Sequence, residues 1–337
     1  MNETADVVVL GLGPAGASAA AEAARRGAKV IGLDRKRAPG VPVQCAELVP
    51  ALLDVDAALV RQRIDAMATF VEDEVADLQR NFPGHMLDRA AFDASLARTA
   101  EQAGASLRFA AVVKRVQGDG EIELADGTRL RARVIVGADG PRSRAGAAIG
   151  SVNVELVETR QVRVALKQPH AATDIFLSAD IPGGYGWLFP KGEVANLGAG
   201  VSPHHKARLK AIIERLHAAL LDRVGRKVLA TTGGAIPVGG MLEPWGLLGE
   251  TMVLLAGDAA GLANPVTGAG IAAAVHSGKL AGEAAARNAP EAYEEELRDV
   301  FGAALERALG RRRELLESTP NKAALRRGWI AYPEYWQ

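Results

Sequence analysis

The sequence predicts an α/β chain in which a Rossmann-type parallel sheet is interleaved with an antiparallel sheet and followed by C-terminal helices. Three observations carry this. Residues 6–10 form a short apolar run, which enters Gly11 at once and then an alanine-rich segment from Pro14 to Arg26. That is the pattern of a buried strand, a tight turn and a helix. Apolar strand-like runs return much later, at 133–140 and 251–258, so the first sheet draws on distant parts of the chain. Between about 151 and 240 alternating segments are separated by turns, as in an antiparallel sheet with one covered face.

Taken in order, Gly27 ends the first helix, and Lys29 to Asp34 is a second parallel strand. Residues 35–55, rich in Pro, Gly and small side chains, read as an irregular loop. Residues 60–82 alternate in patches and are assigned to the sheet of a second lobe. From Asp88 to Gly104 a helix is expected, with Phe92, Leu96 and Ala100 on one face. Strands follow at Leu107–Val116 and Ile122–Leu124, before a turn at Asp126-Gly127. One helix, His204 to Val224, interrupts the antiparallel region. The first domain is therefore drawn as 1–55, 85–150 and 240–285, the substrate domain as 56–84 and 151–239, and a helical C-terminal segment as 286–337. In that segment the run Arg311-Arg312-Arg313-Glu314 reads as a solvated helix face. The aromatic end, with Trp329, Tyr332, Tyr335 and Trp336, reads as a tail docked on the body. Contact with a membrane interface or a partner stays open.

Bulk properties exclude several classes. The 337 residues carry 40 basic and 40 acidic side chains, so there is no basic excess for nucleic acid. A single cysteine, Cys45, and six scattered histidines give neither a disulfide framework nor metal-ligand spacing. The apolar stretch from Met252 to Val275 contains Asp258, Asn264 and Pro265, which a lipid-exposed helix would not tolerate. It reads instead as a strand, a turn and a helix. With no secretory pattern at the N-terminus, the expected location is cytoplasmic.

The chemistry is concentrated in two glycine segments. Gly11, Gly13 and Gly16, with Pro14 and Ala15 between, have G-x-G-x-x-G spacing between a strand and a helix. There the glycines allow the turn, the approach of a pyrophosphate and close helix–strand packing, and the helix N-terminus faces the phosphates. Asp34, with Arg35 beside it, ends the second strand, where a carboxylate bonds ribose hydroxyls. Far along the chain, Gly257-Asp258 is followed by Gly268, Gly270 and Ile271. A carboxylate at a strand end can hold ribityl hydroxyls, and a following helix N-terminus can stabilise negative charge on a reduced ring. An extended dinucleotide needs such a distal anchor, which points to FAD over NAD.

Together with Gly137–Ser143, these segments resemble the flavoprotein hydroxylase superfamily. Within it, Pro182-x-x-Tyr185-x-Trp187-x-Phe189-Pro190 is similar to the motif of the geranylgeranyl reductase family, and Gly234–Pro237 looks like that family's turn before the last flavin-domain strands. The resemblance implies an FAD-dependent reductase of C=C bonds in an isoprenoid-like or other apolar substrate. Tyr185 and Trp187 would belong to the catalytic cavity, and Cys45 would lie beside the isoalloxazine ring, positioning, protonating or reacting with substrate. A small buried hydrophobe remains the other reading of Cys45. Glu47 is either a proton donor in the same loop or a solvent-facing carboxylate. Arg89 would reach the FAD pyrophosphate side, and Val112 or Val113 the adenine. No second G-x-G-x-x-G is present, so electrons would come from transient NAD(P)H, a ferredoxin or another redox partner protein. Two alternatives stand beside this: a flavoprotein supplying a partner enzyme, for example in lipoate assembly, and an aromatic monooxygenase. A long apolar cavity would favour the lipid substrate, and a shallow cleft the partner.

Overall fold

The computed structural model describes residues 3–318 and 321–337. Strand β1 (Glu3–Leu10) turns through Gly11 into α1 (Pro14–Arg25), and the chain returns as β2 (Val30–Leu33). The Cys45 loop leads to β3 (Leu48–Pro50), β4 (Val60–Ile64), β5 (Ala66–Val71), β6 (Asp77–Gln79) and β7 (Gly84–Leu87). Helix α2 (Arg89–Gln102) is capped by Asp88, whose carboxylate accepts from the Ala91 N–H at 3.1 Å. Then come β8 (Ser106–Arg108), β9 (Val113–Val116), β10 (Glu121–Leu124), β11 (Arg129–Gly137) and α3 (Arg144–Ala148). The second lobe holds β12 (Leu156–Leu166), β13 (Ala172–Leu177), β14 (Gly186–Lys191), β15 (Val194–Val201), α4 (Leu209–Ala219) and β16 (Val224–Pro237). The chain closes with β17 (Trp245–Leu248), β18 (Thr251–Leu255), α5 (Ile271–Arg287), α6 (Pro290–Leu297), α7 (Ala303–Glu317), α8 (Lys322–Arg327) and α9 (Pro333–Trp336).

The first sheet runs β17-β18-β11-β1-β2-β8, with β9 and β10 attached beside β11. Its centre is parallel: Val7–Leu10 of β1 lie between Val134–Gly137 and Val30–Leu33. Covered on both faces, these strands read as continuous apolar runs rather than alternating ones. On one side α1 and α5 pack together closely. A Cβ at Gly278 would strike the Ala15 carbonyl, and one at Gly282 the Ala19 carbonyl. These small residues let the two helices lie backbone to backbone and bring both N-termini to one end of the sheet.

The second sheet, β16-β12-β15-β14-β13-β5-β6, is antiparallel except where β5 runs parallel to β13. The structure revises several sequence boundaries. Val60–Ile64 leaves the second sheet and joins a small one, β3-β7-β4, so the 35–55 loop contains a strand. The expected strand Leu107–Val116 is broken at Ala110, which has φ 57°. Its halves pair with different partners, β2 and β10. The expected helix 204–224 is a 3₁₀ turn, Pro203–Arg208, followed by the shorter α4. Gly234–Pro237 is the end of β16 and not a turn. Among the described residues no helix is long and apolar enough to cross a membrane.

Candidate active site

One cavity of about 860 Å³ runs between the two lobes, at the upper end of the range for small-molecule sites. Its first wall is the glycine cradle. Gly11 has φ +85°, and a Cβ there would strike the Ala138 carbonyl. A Cβ at Gly16 would collide with the Gly11 carbonyl, whereas Gly13 faces open space. The turn is thus locked by backbone contacts on one side and left free on the side where Gly13, Pro14 and Ala15 line the cavity. Asp34 also lines it, its carboxylate held by the N–H groups of Leu12 (2.8 Å) and Lys36 (2.7 Å). Arg35 and Val113 continue this end, together with Val112, whose carbonyl accepts from Ala125 N–H.

Asp258, Gly268, Gly270 and Ile271 line the other end. Gly257 is buried just behind, with a built Cβ 3.0 Å from the Ala15 Cβ. Burial pushes the Asp258 carboxyl up to about 6, against the lowering influence of the Arg89 guanidinium. Asn153 Nδ2 donates to the Asp258 backbone carbonyl at 2.9 Å, but no hydrogen bond to its carboxylate is present among the described residues. The two ends fit an extended dinucleotide: helix N-termini at both, an open glycine face, and a carboxylate that awaits donors.

The opposite wall is aromatic. Tyr185, Trp187 and Phe189 alternate along β14 and its approach, fall on one face and line the cavity. Tyr185 and Trp187 ring centroids are 5.7 Å apart, and Trp187 and Phe189 6.2 Å. Each polar tip is anchored: Tyr185 donates to the Thr267 carbonyl at 2.6 Å, and Trp187 Nε1 to Gln161 Oε1 at 3.0 Å. Burial raises the Tyr185 phenol well above its usual range. Gly198 is needed behind this wall, because its Cβ would enter the Trp187 ring.

Cys45 lies between the walls. Its Sγ accepts from the Glu47 N–H at 3.2 Å, and its carbonyl from Gln161 Nε2 at 3.2 Å. Gln161 therefore ties the cysteine loop to Trp187. Arg89 lines the cavity beside Cys45 and forms a two-pronged pair with Asp93, at 3.0 and 3.1 Å. Asp93 engages Nε and Nη2 of that guanidinium and leaves Nη1 outside the pair. The solvent-facing reading of Glu47 is corrected. It is 1% exposed and at φ 71°. Its Oε1 accepts from Lys191 Nζ at 2.6 Å, and its Oε2 from Asn196 at 2.9 Å and Arg163 at 3.3 Å. A carboxylate so engaged braces the loop.

The C-terminal segment forms the remaining wall, which the sequence did not assign to the site. Trp329 is 3% exposed and packs on Tyr185 with centroids 4.8 Å apart. Tyr332 donates to Asp77 at 2.7 Å, and Arg311 Nε to the Tyr335 carbonyl at 3.0 Å. Trp336 stays 59% exposed. The basic run is not uniformly solvated: Arg312 is 8% exposed and lines the cavity with Trp329 and Ile330. The signal was present, since Leu305, Ala308 and Arg312 recur at helical spacing and are all buried.

A Rossmann-type cradle with a distal buried carboxylate, facing an aromatic chamber, defines a flavin-dependent oxidoreductase. A model of the FAD binding domain matches residues 4–184, and a model of the geranylgeranyl reductase catalytic domain matches residues 157–236. The chain is 34% identical to digeranylgeranylglycerophospholipid reductase 1 of Methanopyrus kandleri, over 89% of each chain. With the corresponding reductase of Methanocaldococcus jannaschii it shares 32% identity, over 85% of this chain and 78% of that one. Among solved structures, a geranylgeranyl bacteriochlorophyll reductase-like protein from Thermoplasma acidophilum superposes with a TM-score of 0.84 at 25% identity, covering 96% of this chain and 90% of that one. Pseudomonas aeruginosa PqsL, at 18% identity and a TM-score of 0.73, shares the fold. The chain belongs to the geranylgeranyl reductase family and is an FAD-dependent reductase.

Proposed function

We propose that the protein reduces carbon–carbon double bonds of an isoprenoid lipid, the substrate class named for its digeranylgeranylglycerophospholipid reductase relatives. The observation that carries this reading is the single cavity shared by the dinucleotide cradle and an apolar wall of Tyr185, Trp187, Phe189, Met67, Ile175 and Trp329. Its apolar lining favours a lipid chain over a docking cleft for a protein partner.

FAD, once bound and reduced by the electron donor, would supply the hydride. The N–H groups at the start of α1, with Gly13, Pro14 and Ala15, would hold its phosphates, Asp34 a ribose and Asp258 the ribityl chain. The N-terminus of α5, at Gly270 and Ile271, would face the ring. Val113 and Arg35 border the adenosine end. The aromatic wall orients the chain and excludes water, while Cys45 positions the alkene and is the proton source we assign, Glu47 being engaged by cations. Electrons would come from NAD(P)H or a ferredoxin. A lipid substrate calls for peripheral membrane contact from the cytoplasm.

The test is anaerobic. The FAD-loaded protein is bleached with NADH, NADPH or reduced ferredoxin, then mixed with geranylgeraniol or a digeranylgeranyl glycerophospholipid. Return of the flavin absorbance with formation of saturated product is expected. A flavin that stays bleached with both would refute the isoprenoid reading.

A further inference from the structure

Arg312 is the buried cation for which the reaction above gives no role. It projects from α7 to the place where the aromatic wall meets the turn before α5. One amino group donates to the Gly183 carbonyl at 3.0 Å and approaches that of Pro265 at 3.5 Å. Its Nε is fully buried without a hydrogen-bond partner among the described residues. No carboxylate there lies within ion-pairing distance of it. The nearest acidic influence, Glu155, pairs instead with Arg313 at 3.7 Å. Desolvation accordingly pushes the Arg312 guanidinium below its usual value. The partly buried cation Arg89, also on the cavity, has Asp93 as counterion. A desolvated guanidinium without an anion is unfavourable unless something supplies one, and its planar fork matches phosphate oxygens.

We propose that Arg312 is the anion subsite of the cavity and takes the phosphate of a phosphorylated isoprenoid substrate. This rests on the isoprenoid reading and deepens it. The aromatic wall accepts the hydrocarbon, and Arg312 anchors the charged end next to it. Selection would then favour phosphate esters over the free alcohol. It is the C-terminal segment, rather than either of the two lobes, that provides this preference.

The experiment uses FAD-loaded protein, so that the pyrophosphate cradle is filled. Calorimetric titration with inorganic pyrophosphate is compared for wild type, Arg312→Gln and Arg312→Lys. In parallel, reduced enzyme is reoxidised by geranylgeranyl diphosphate and by geranylgeraniol, and the ratio of their half-saturating concentrations is read. Arg312→Gln is expected to weaken pyrophosphate about ten- to hundredfold and to raise the diphosphate-to-alcohol ratio by a similar factor, with Arg312→Lys between. Pyrophosphate binding that Arg312→Gln leaves unchanged overturns the proposal, and so does binding of free pyrophosphate with no change in the ratio. A shifted flavin reduction potential with an unchanged ratio would give Arg312 to the cofactor and overturn it too. If both variants lose folded, FAD-loaded protein, Arg312 is a structural clamp and the proposal falls. If neither isoprenoid reoxidises the flavin but pyrophosphate binding still depends on Arg312, the isoprenoid reading fails while the anion subsite stands.

Discussion

Glu47 and Asp258 are two carboxylates on one cavity, and they sit in opposite circumstances. Glu47 is surrounded by Lys191, Arg163 and Asn196. The Asp258 carboxylate has the more distant influence of Arg89 and, among the described residues, no hydrogen-bond donor. The difference separates what the fold needs from what a ligand needs. A polar group satisfied by the protein braces the site, whereas one left waiting marks where a ligand supplies the missing bonds. The same contrast holds between Arg89, paired with Asp93, and Arg312.

The largest expected effect comes from closing the waiting side altogether. Gly16→Val would drive a side chain into the Gly11 carbonyl. Purified protein should be colourless, with FAD affinity down more than about a hundredfold; a yellow variant with native affinity would show that the cradle is not the cofactor site. Next is the satisfied side. Glu47→Ala leaves Lys191 and Arg163 without their anion and should lower stability by roughly 3 kcal/mol. Urea unfolding of FAD-loaded protein checks this, and an unchanged midpoint would mean the network is idle.

Asp258 gives a pH signature of opposite sense to the usual carboxylate. Its pKa in the folded, cofactor-free protein is raised to about 6 from 3.8, so the folded state binds the proton more tightly than the unfolded chain. That contribution is present below about pH 4 and is lost as pH rises through 6, up to roughly 3 kcal/mol. Asp258→Asn should remove this fall. Melting curves of cofactor-free wild type and variant between pH 4 and 7 should therefore converge toward acid and diverge toward neutral, and parallel curves would contradict it. A smaller effect is expected for Trp187→Phe, which loses the Nε1–Gln161 bond, about 1 kcal/mol in thermal unfolding. Smallest is Trp336→Ala: at 59% exposure it should change the unfolding midpoint by less than about 0.5 kcal/mol.

The satisfied and waiting groups were not equally legible. Gly11, Gly13, Gly16 and Asp258 stand in strand–turn–helix contexts that sequence pattern exposes, as does the alternation of Tyr185, Trp187 and Phe189. The β3-β7-β4 sheet was hidden because three- to five-residue strands carry too few positions to show a period. Glu47 was misread because its partners Arg163, Lys191 and Asn196 lie more than a hundred residues away. Gln161 sits in an ordinary alternating strand, with nothing local to mark its link from Cys45 to Trp187. Arg312 was hidden by its neighbours, since a run of like charges masks the one position that shares a face with Leu305 and Ala308.

The close packing of α5 on α1 has a further consequence. With Gly278 against the Ala15 carbonyl and Gly282 against that of Ala19, the two helix N-termini are parts of one rigid body. The span between the two cofactor ends is therefore set like the fixed jaws of a gauge. A side chain at position 278 would widen the gauge and disturb both ends together. Substitutions in the Cys45 loop, β14 or the C-terminal segment would leave that span unchanged.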